Sequence, residues 1–321
     1  MTKKFNGLEM NYLVSVLAYF NHQIINNTDT GHTYQPLLNY ICCIKIIKMK
    51  TIIVPVDFSV TSTNAAEFAG NLAAFYGAEI WLYHAYQIPI ALSEFAYPVV
   101  DIVEIQKAAD HELELLRDET QDKLKRKITI NIKAEMNLLQ LGLSNLCETL
   151  KPDMVVIGLS GKNALTRLIV GSNTIKTIFD LTYPILVVPP KAEFIPVRKI
   201  GFACDYKQVE KTTPVALLKK IITDFHAELH VLNVDKSNAT DAAKAHESYL
   251  INDLLRDTKA EFHNIEAGEV TDGINWFVDR SKLDWLVVIP KRHNLIEKIF
   301  RRSQTKELVY HTHIPVLCIH E

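Results

Sequence analysis

What this 321-residue sequence lacks narrows it first. Its five cysteines, Cys42, Cys43, Cys147, Cys204 and Cys318, contain no CxxC pair. They are too few and too irregular for a disulfide framework or a structural zinc ribbon, and they read as reduced thiols. No apolar run approaches the ~18 residues needed to span a bilayer. The N-terminal stretch Tyr12–Phe20 is too short, and although Lys3 and Lys4 precede it, no small-residue cleavage site follows closely. Net charge is −2, from 35 basic and 37 acidic residues, so no global field draws in nucleic acid or an anionic membrane. Only 11 glycines and 12 prolines occur, which excludes collagen-like and low-complexity readings. The expectation is a soluble, cytoplasmic protein with neither a membrane nor a nucleic-acid partner.

What is present is an ordinary globular composition, 48% hydrophobic and 22% charged. At roughly 150 residues per domain, the length suggests about two domains. The first 48 residues stand apart, with weak periodicity, scattered asparagines and the cluster Tyr40-Ile-Cys-Cys-Ile-Lys-Ile-Ile47. Met49-Lys-Thr-Ile-Ile-Val-Pro-Val-Asp57 then begins abruptly as a strand. Residues 1–48 are therefore expected to be an N-terminal extension, poorly structured or the product of an upstream start-codon assignment. A tail that binds a membrane or a partner is the alternative.

From Met49 the pattern alternates. It predicts strands over Ile52–Asp57, Glu79–Ala85, Ile128–Ala134, Met154–Gly158 and Pro184–Val188. Helices are predicted over Thr61–Tyr76, Asp101–Arg126, Leu143–Leu150 and Ser172–Leu181. Apolar runs such as Val155-Val-Ile157 suit strands buried on both faces, and the alternation argues for a parallel sheet with helices on both sides. After a hinge from Pro189-Pro190 to Pro196 the order returns: Lys199–Cys204 precedes Asp205 as Ile52–Val56 precedes Asp57. With an offset of 131, Asp153-Met-Val-Val-Ile157 lies over Asp284-Trp-Leu-Val-Val288, and Pro184-Ile-Leu-Val-Val lies over Pro315-Val-Leu-Cys-Ile. This reads as a tandem duplication, domain 1 over 49–190 and domain 2 over 197–321, each copy large enough to bury a core of its own.

After the fourth predicted strand comes Gly158-Leu-Ser-Gly161, then nine residues, then Gly171-Ser172 opening a helix. Glycines let backbone N–H groups approach phosphate oxygens, and a helix start adds unpaired donors and a favourable dipole. In an open α/β sheet the ligand crevice lies outside the carboxyl ends of the strands, where Asp57 also ends its strand and could accept from a ribose. A Walker A loop is excluded, because it would need glycine at Val156 and Ser or Thr at Asn163. Plain turn chemistry without a ligand is the competing reading of these glycines.

Together, Val54-Pro-Val-Asp-Phe-Ser59 and Gly158-x2-Gly161-x9-Gly171-Ser172 resemble the universal stress protein family, with residues 49–321 corresponding to two family domains in tandem. The resemblance implies two Rossmann-like (adenine nucleotide alpha hydrolase-like) α/β domains, each with a five-stranded parallel sheet and helices on both faces. It further implies ATP, or AMP or ADP, in the crevice, with magnesium as an accompanying ion. Carried over by position, Pro55 and Val56 would flank the adenine and Asp57 would bind ribose or adenine. Ala85 would line the base pocket, while Ile157, Gly158, Gly161, Gly171, Ser172, Asn173 and Thr174 would surround ribose and phosphates. Family proteins dimerise through their last strands, so Pro184–Val188 and Pro315–Ile319 are expected to pair within the chain as a pseudo-dimer; a homodimer beyond that stays open.

The second copy departs from the motif. Ile289, Arg292 and Arg302 replace Gly158, Gly161 and Gly171, while Asp205 and Ser303 are kept, and Pro290 removes an N–H next door. That copy is expected not to bind ATP in the family's way, with Asp205 kept through common ancestry. The basic run Lys291–Lys306 is either an anion- or nucleic-acid-binding patch or a solvated loop; no aromatic platform is interleaved, which favours the loop.

Other chemistry finds little support. His311, His313, Cys318 and His320 lack a compact metal spacing, no GxSxG or HExxH is present, and the acidic residues of the long helix read as a solvated face. Phe95 and Tyr97 are read as cover for the sheet edge, with a lid over the crevice as the alternative. No catalytic or metal residue is assigned. The leading reading is a non-enzymatic, nucleotide-binding regulator of a stress response. A weak ATPase or adenylate-handling enzyme and a nucleotide-independent scaffold are the alternatives.

Overall fold

Ile52, Ile53 and Val54 are completely buried in strand β1 (Thr51–Pro55), which is covered on both faces, as a parallel strand at the centre of an α/β sheet must be. The structure is a computed structural model that describes residues 49–87, 101–159, 177, 180–235, 242–290 and 313–320. All belong to one compact unit, Lys48–Glu321. The N-terminal extension, the 91–99 connection and the basic run 291–306 lie outside the described residues.

The first half proceeds from β1 to α1 (Val60–Tyr76), β2 (Glu79–Tyr86), α2 (Ile102–Lys123), β3 (Ile130–Met136), α3 (Leu139–Leu150), β4 (Met154–Gly158) and β5 (Ile185–Val188). The second contains β6 (Lys199–Ala203), a short α4 (Val209–Thr212), α5 (Val215–Phe225), β7 (Glu228–Asp235), α6 (Ala242–Leu254), β8 (Glu261–Glu266), α7 (Val270–Ser281), β9 (Trp285–Val288) and β10 (Val316–Cys318). Helix α1 is set by its ends: Ser59 Oγ accepts from the Ser62 N–H at the start, and Gly77, at φ 64°, closes it in the left-handed region.

The strands form a single ten-stranded sheet in the order β3-β2-β1-β4-β5-β10-β9-β6-β7-β8. Read from either edge inward, the two halves have the same order. Every other pair is parallel, but β5 and β10 meet antiparallel, with Ile185, Leu186 and Val187 opposite Cys318, Leu317 and Val316. The edge strand β3 alternates apolar with charged or amide side chains, and the other edge strand, β8, is mostly polar, as suits strands with an unpaired rim.

The interior is organised by sheet face, and each buried cluster draws on both halves. One cluster joins Val54, Leu82 and Phe68 of the first half to Phe202, Leu218 and Val287 of the second, under α1, α2, α5 and α6. The other joins Ile53, Tyr83 and Leu146 to Leu286, Phe277 and Cys318, under α3 and α7. Strand alternation puts consecutive residues on opposite faces, and the β5–β10 ladder carries both faces across the junction without a break. Aromatic rings add a second tie. Phe225 stacks on Phe75 at 5.0 Å and 16° and meets Trp285 edge-on at 5.2 Å. Phe75, predicted for the apolar face of its helix, is still 45% exposed. The connector between the halves is packed: Asn64 Nδ2 donates to the carbonyls of Pro189 and Ala192, and Phe194 abuts Phe68 at 5.5 Å.

Candidate functional site

In the first half the chain leaves β1 towards β2 on one side, and β4 and β5 lie on the other, so the strand order reverses between β1 and β4. This is where an open α/β sheet forms its ligand crevice. The ladders show the opening directly. β1 pairs with β2 as far as Pro55–Tyr83, and β4 with β5 as far as Gly158–Val188, but β1 pairs with β4 only through Ile52–Met154 and Ile53–Val155. Both strands continue beyond their last shared rung. Pro55, Val56, Asp57, Ile157 and Gly158 therefore border one gap, with Ala85 on the neighbouring strand, half-buried beside the second cluster.

A tight turn forms the floor. Phe58 adopts φ 59°, and Asp57 Oδ1 accepts from the Ser59 N–H at 3.1 Å and from Ser59 Oγ at 2.5 Å. This is an Asx turn, in which a short carboxylate satisfies the backbone two residues on. Ser62 Oγ accepts from the Asp57 N–H at 3.3 Å and donates to the Ser59 carbonyl at 3.0 Å. Partial burial raises the Asp57 pKa, but the donors on Ser59 and Ser62 outweigh it and leave the carboxyl below its ordinary value. The carboxylate is thus charged and its Oδ1 already committed, which favours a ligand that donates to Oδ2.

Val56 is engaged on both sides. Its N–H donates to the Tyr83 carbonyl at 2.8 Å, and its carbonyl lies 2.8 Å from His84 Nδ1, whose ring meets Phe58 at 4.5 Å between centroids. Pro55 has no N–H. The contact these two residues offer an adenine is therefore apolar unless His84 swings away.

Gly158 has a packing reason to be glycine. A Cβ there would sit 2.5 Å from the Thr61 carbonyl oxygen and 3.1 Å from the Ser62 nitrogen. The end of β4 touches the first turn of α1 backbone to backbone, which brings the glycine beside the positive end of a helix dipole. Gly161, Gly171, Ser172, Asn173 and Thr174 lie outside the described residues.

The second half keeps the turn and loses the approach. Asp205 Oδ1 accepts from the Lys207 N–H at 3.2 Å, Tyr206 stands at φ 51°, and Asn233 Nδ2 donates to the Cys204 carbonyl at 2.8 Å as His84 contacts that of Val56. Asp205 therefore has structural work in its turn. With Ile289 in place of Gly158, the counterpart of α1 is interrupted: α4 stops at Thr212, and α5 begins after Pro214. Of the C-terminal cluster, Cys318 is fully buried among apolar side chains, which pushes its thiol up to about 12 and makes it a poor metal ligand. His313 Nδ1 lies 3.6 Å from Asp279 Oδ1.

Sequence reasoning missed Ser59, Ser62 and His84. The Asp-x-Ser spacing before a helix is a legible capping signal for the first two. His84 carries no local signal, since only the strand register places it against Val56.

A universal stress protein family model matches residues 48–189. A curated universal stress protein of Methanocaldococcus jannaschii is 31% identical over 158 residues, 45% of this chain and 85% of that protein. The crystal structure of a universal stress protein from Archaeoglobus fulgidus overlays with a TM-score of 0.62 at 16% identity, covering 84% of this chain and 98% of that one. A crystal structure described as a putative universal stress protein from Pseudomonas aeruginosa gives 0.52 at 14%, covering 85% and 94%. Among the described residues, no helix is long and apolar enough to cross a membrane.

Proposed function

The chain belongs to the universal stress protein family, and on that premise we propose that its first half binds an adenine nucleotide, ATP foremost with magnesium as companion, in the crevice between β1 and β4. The observation that carries this reading is the early end of the β1–β4 ladder above the Asp57–Ser59 turn. Asp57 Oδ2 is left to accept from a ribose hydroxyl. Pro55, Val56 and Ala85 offer apolar surface to the base, and Ile157 borders the ribose. Gly158 brings backbone close to the start of α1, and the glycine segment that follows it in sequence, Gly161, Gly171, Ser172, Asn173 and Thr174, supplies the phosphate donors.

The outcome is regulatory and not catalytic: a nucleotide-dependent conformation read by other components of a cytoplasmic stress response. A carboxylate held below its ordinary pKa is a weak general base, so the Asp57 environment argues against efficient hydrolysis. The second half, with Ile289, Arg292 and Arg302 in place of the three glycines, leaves its crevice without nucleotide and acts as the first half's built-in partner; the β5–β10 pairing supports that pseudo-dimer arrangement.

Calorimetry and mass spectrometry of ligand released on denaturation test this reading. One equivalent of adenine nucleotide per chain is expected, lost in Gly171→Val and kept in Arg302→Ala. No nucleotide in the released fraction and no heat with ATP, ADP or AMP would sink it.

A further inference from the structure

Three donor atoms on the outer two strands of the second half converge. Glu261 of β8 lies opposite His230 of β7 in the parallel register, and His263 follows two residues on, so all three side chains leave the same face of the sheet. His230 Nδ1 is 3.1 Å from His263 Nε2 and 3.3 Å from Glu261 Oε2, and His263 Nε2 is 3.6 Å from that same oxygen. Hydrogen bonding alone does not satisfy this triangle, because a neutral imidazole brings one proton. If both rings donate to the carboxylate, two N–H groups face each other. If one ring donates to the other, the carboxylate oxygen faces a lone pair. A cation at the centre makes all three contacts attractive. The edges fit as well, since bonds of about 2.0–2.1 Å to a tetrahedral zinc ion set neighbouring donors roughly 3.3 Å apart.

The surroundings agree. His230 is 5% exposed, and its Nε2 is buried with no hydrogen-bond partner among the described residues. In the tautomer that ligates through Nδ1 this atom carries the proton, and the nearest carboxylate oxygen given for it, Glu228 Oε2, stands 3.9 Å away, outside hydrogen-bond distance. Phe277 of α7 shields both imidazoles, at 4.5 and 6.0 Å between centroids. At the matching positions of the first half stand Trp81, Asn131 and Lys133, which supply no such set; Trp81 and Asn131 donate instead to Glu79.

We propose that His230, Glu261 and His263 form a divalent transition-metal site, suited to zinc, in which a water completes the shell and the ion clasps the edge strand β8 to β7. The second half then carries an inorganic ligand of its own. The full chain, stripped with a chelator and titrated with Co²⁺, should take up one equivalent and develop the visible absorption of a tetrahedral ion, which Zn²⁺ displaces. His263→Gln and Glu261→Gln, with their folds checked by circular dichroism, should each weaken binding by more than about 100-fold, the upper end for an outer partner alone. Absence of uptake by the unaltered chain would overturn the site. Affinity within tenfold of the parent in both variants would do so too, since the ion would then sit on other histidines.

Discussion

A Cβ on Gly158 would lie 2.5 Å from the carbonyl oxygen of Thr61, so the last residue of β4 and the first turn of α1 are in contact through backbone alone. Gly158→Ala must push the helix start away from the strand. Overpacking of this kind costs about 1–3 kcal/mol. The urea midpoint should fall, and nucleotide affinity should fall with it, because the same shift moves the Asp57–Ser59 turn. A variant that keeps its midpoint and its affinity would show that the first turn of α1 yields freely.

Phe225 joins the halves at a second place besides the β5–β10 ladder. It is 9% exposed and touches Phe75, Tyr76, Phe194 and Trp285. Phe225→Ala should lower stability by roughly 3–5 kcal/mol, as large core truncations do. Since both hydrophobic clusters run through the junction, the described unit should still unfold in one transition, with tryptophan fluorescence and far-ultraviolet dichroism coincident. Two separated transitions in the parent chain would contradict the continuous core.

Much of this fold was legible because its signals are local. Buried runs such as Val155-Val-Ile157 mark central strands, Gly77 marks a helix end, and the offset of 131 aligns Asp153 with Asp284. The boundary errors have local causes too. The strand was expected to reach Asp57, but Asp57 already turns towards Ser59, and β1 stops at Pro55. The edge strand β8, Glu-Phe-His-Asn-Ile-Glu, has too little apolar alternation to stand out. Fusion of the two sheets was expected only through the family resemblance, and the shared cores not at all, since neither periodicity nor composition says which faces meet. The His230–Glu261–His263 set was invisible for the same reason: its members are brought together by the β7–β8 register, not by spacing along the chain.

Gly142 reverses the usual helix rule. Replacing an interior glycine of a helix by alanine ordinarily gains up to about 1 kcal/mol. Here a Cβ would lie 1.8 Å from the hydroxyl oxygen of Tyr83, whose ring is completely buried and whose hydroxyl donates to Glu135. Gly142→Ala should therefore destabilise the chain, and thermal melting reads the sign. Adding Tyr83→Phe should recover part of the loss.

Asp57 sets a pH dependence whose sign follows from its environment. Its folded pKa lies below the ordinary aspartate value of 3.8, so the unfolded chain binds the proton more readily. The contribution of the turn is complete above that value and is lost as pH falls through the lower, folded pKa. Asp57→Asn should flatten the acid limb of the stability curve and leave the neutral limb parallel to the parent. An unchanged acid limb would show that the Ser59 and Ser62 bonds do not persist in solution.

Asp153 and Asp284 perform one task twice. Asp153 Oδ2 accepts from the N–H groups of Lys50 at 2.7 Å and Thr51 at 3.1 Å, and Asp284 Oδ2 from those of Arg198 at 2.7 Å and Lys199 at 2.9 Å. Each carboxylate pins the start of the first strand in its half to the strand that crosses over beside it. Hydrogen bonds to a charged acceptor contribute about 1.5–3 kcal/mol, and the two sites share no partner. Asp153→Ala and Asp284→Ala should each destabilise by a similar amount, and the double variant should add within roughly 0.5 kcal/mol. Denaturant titration of the three variants measures this. Because the sheet is continuous, both single variants should shift the whole transition; if Asp284→Ala left the unfolding of the first half in place, the halves would be folding units joined only at their edge.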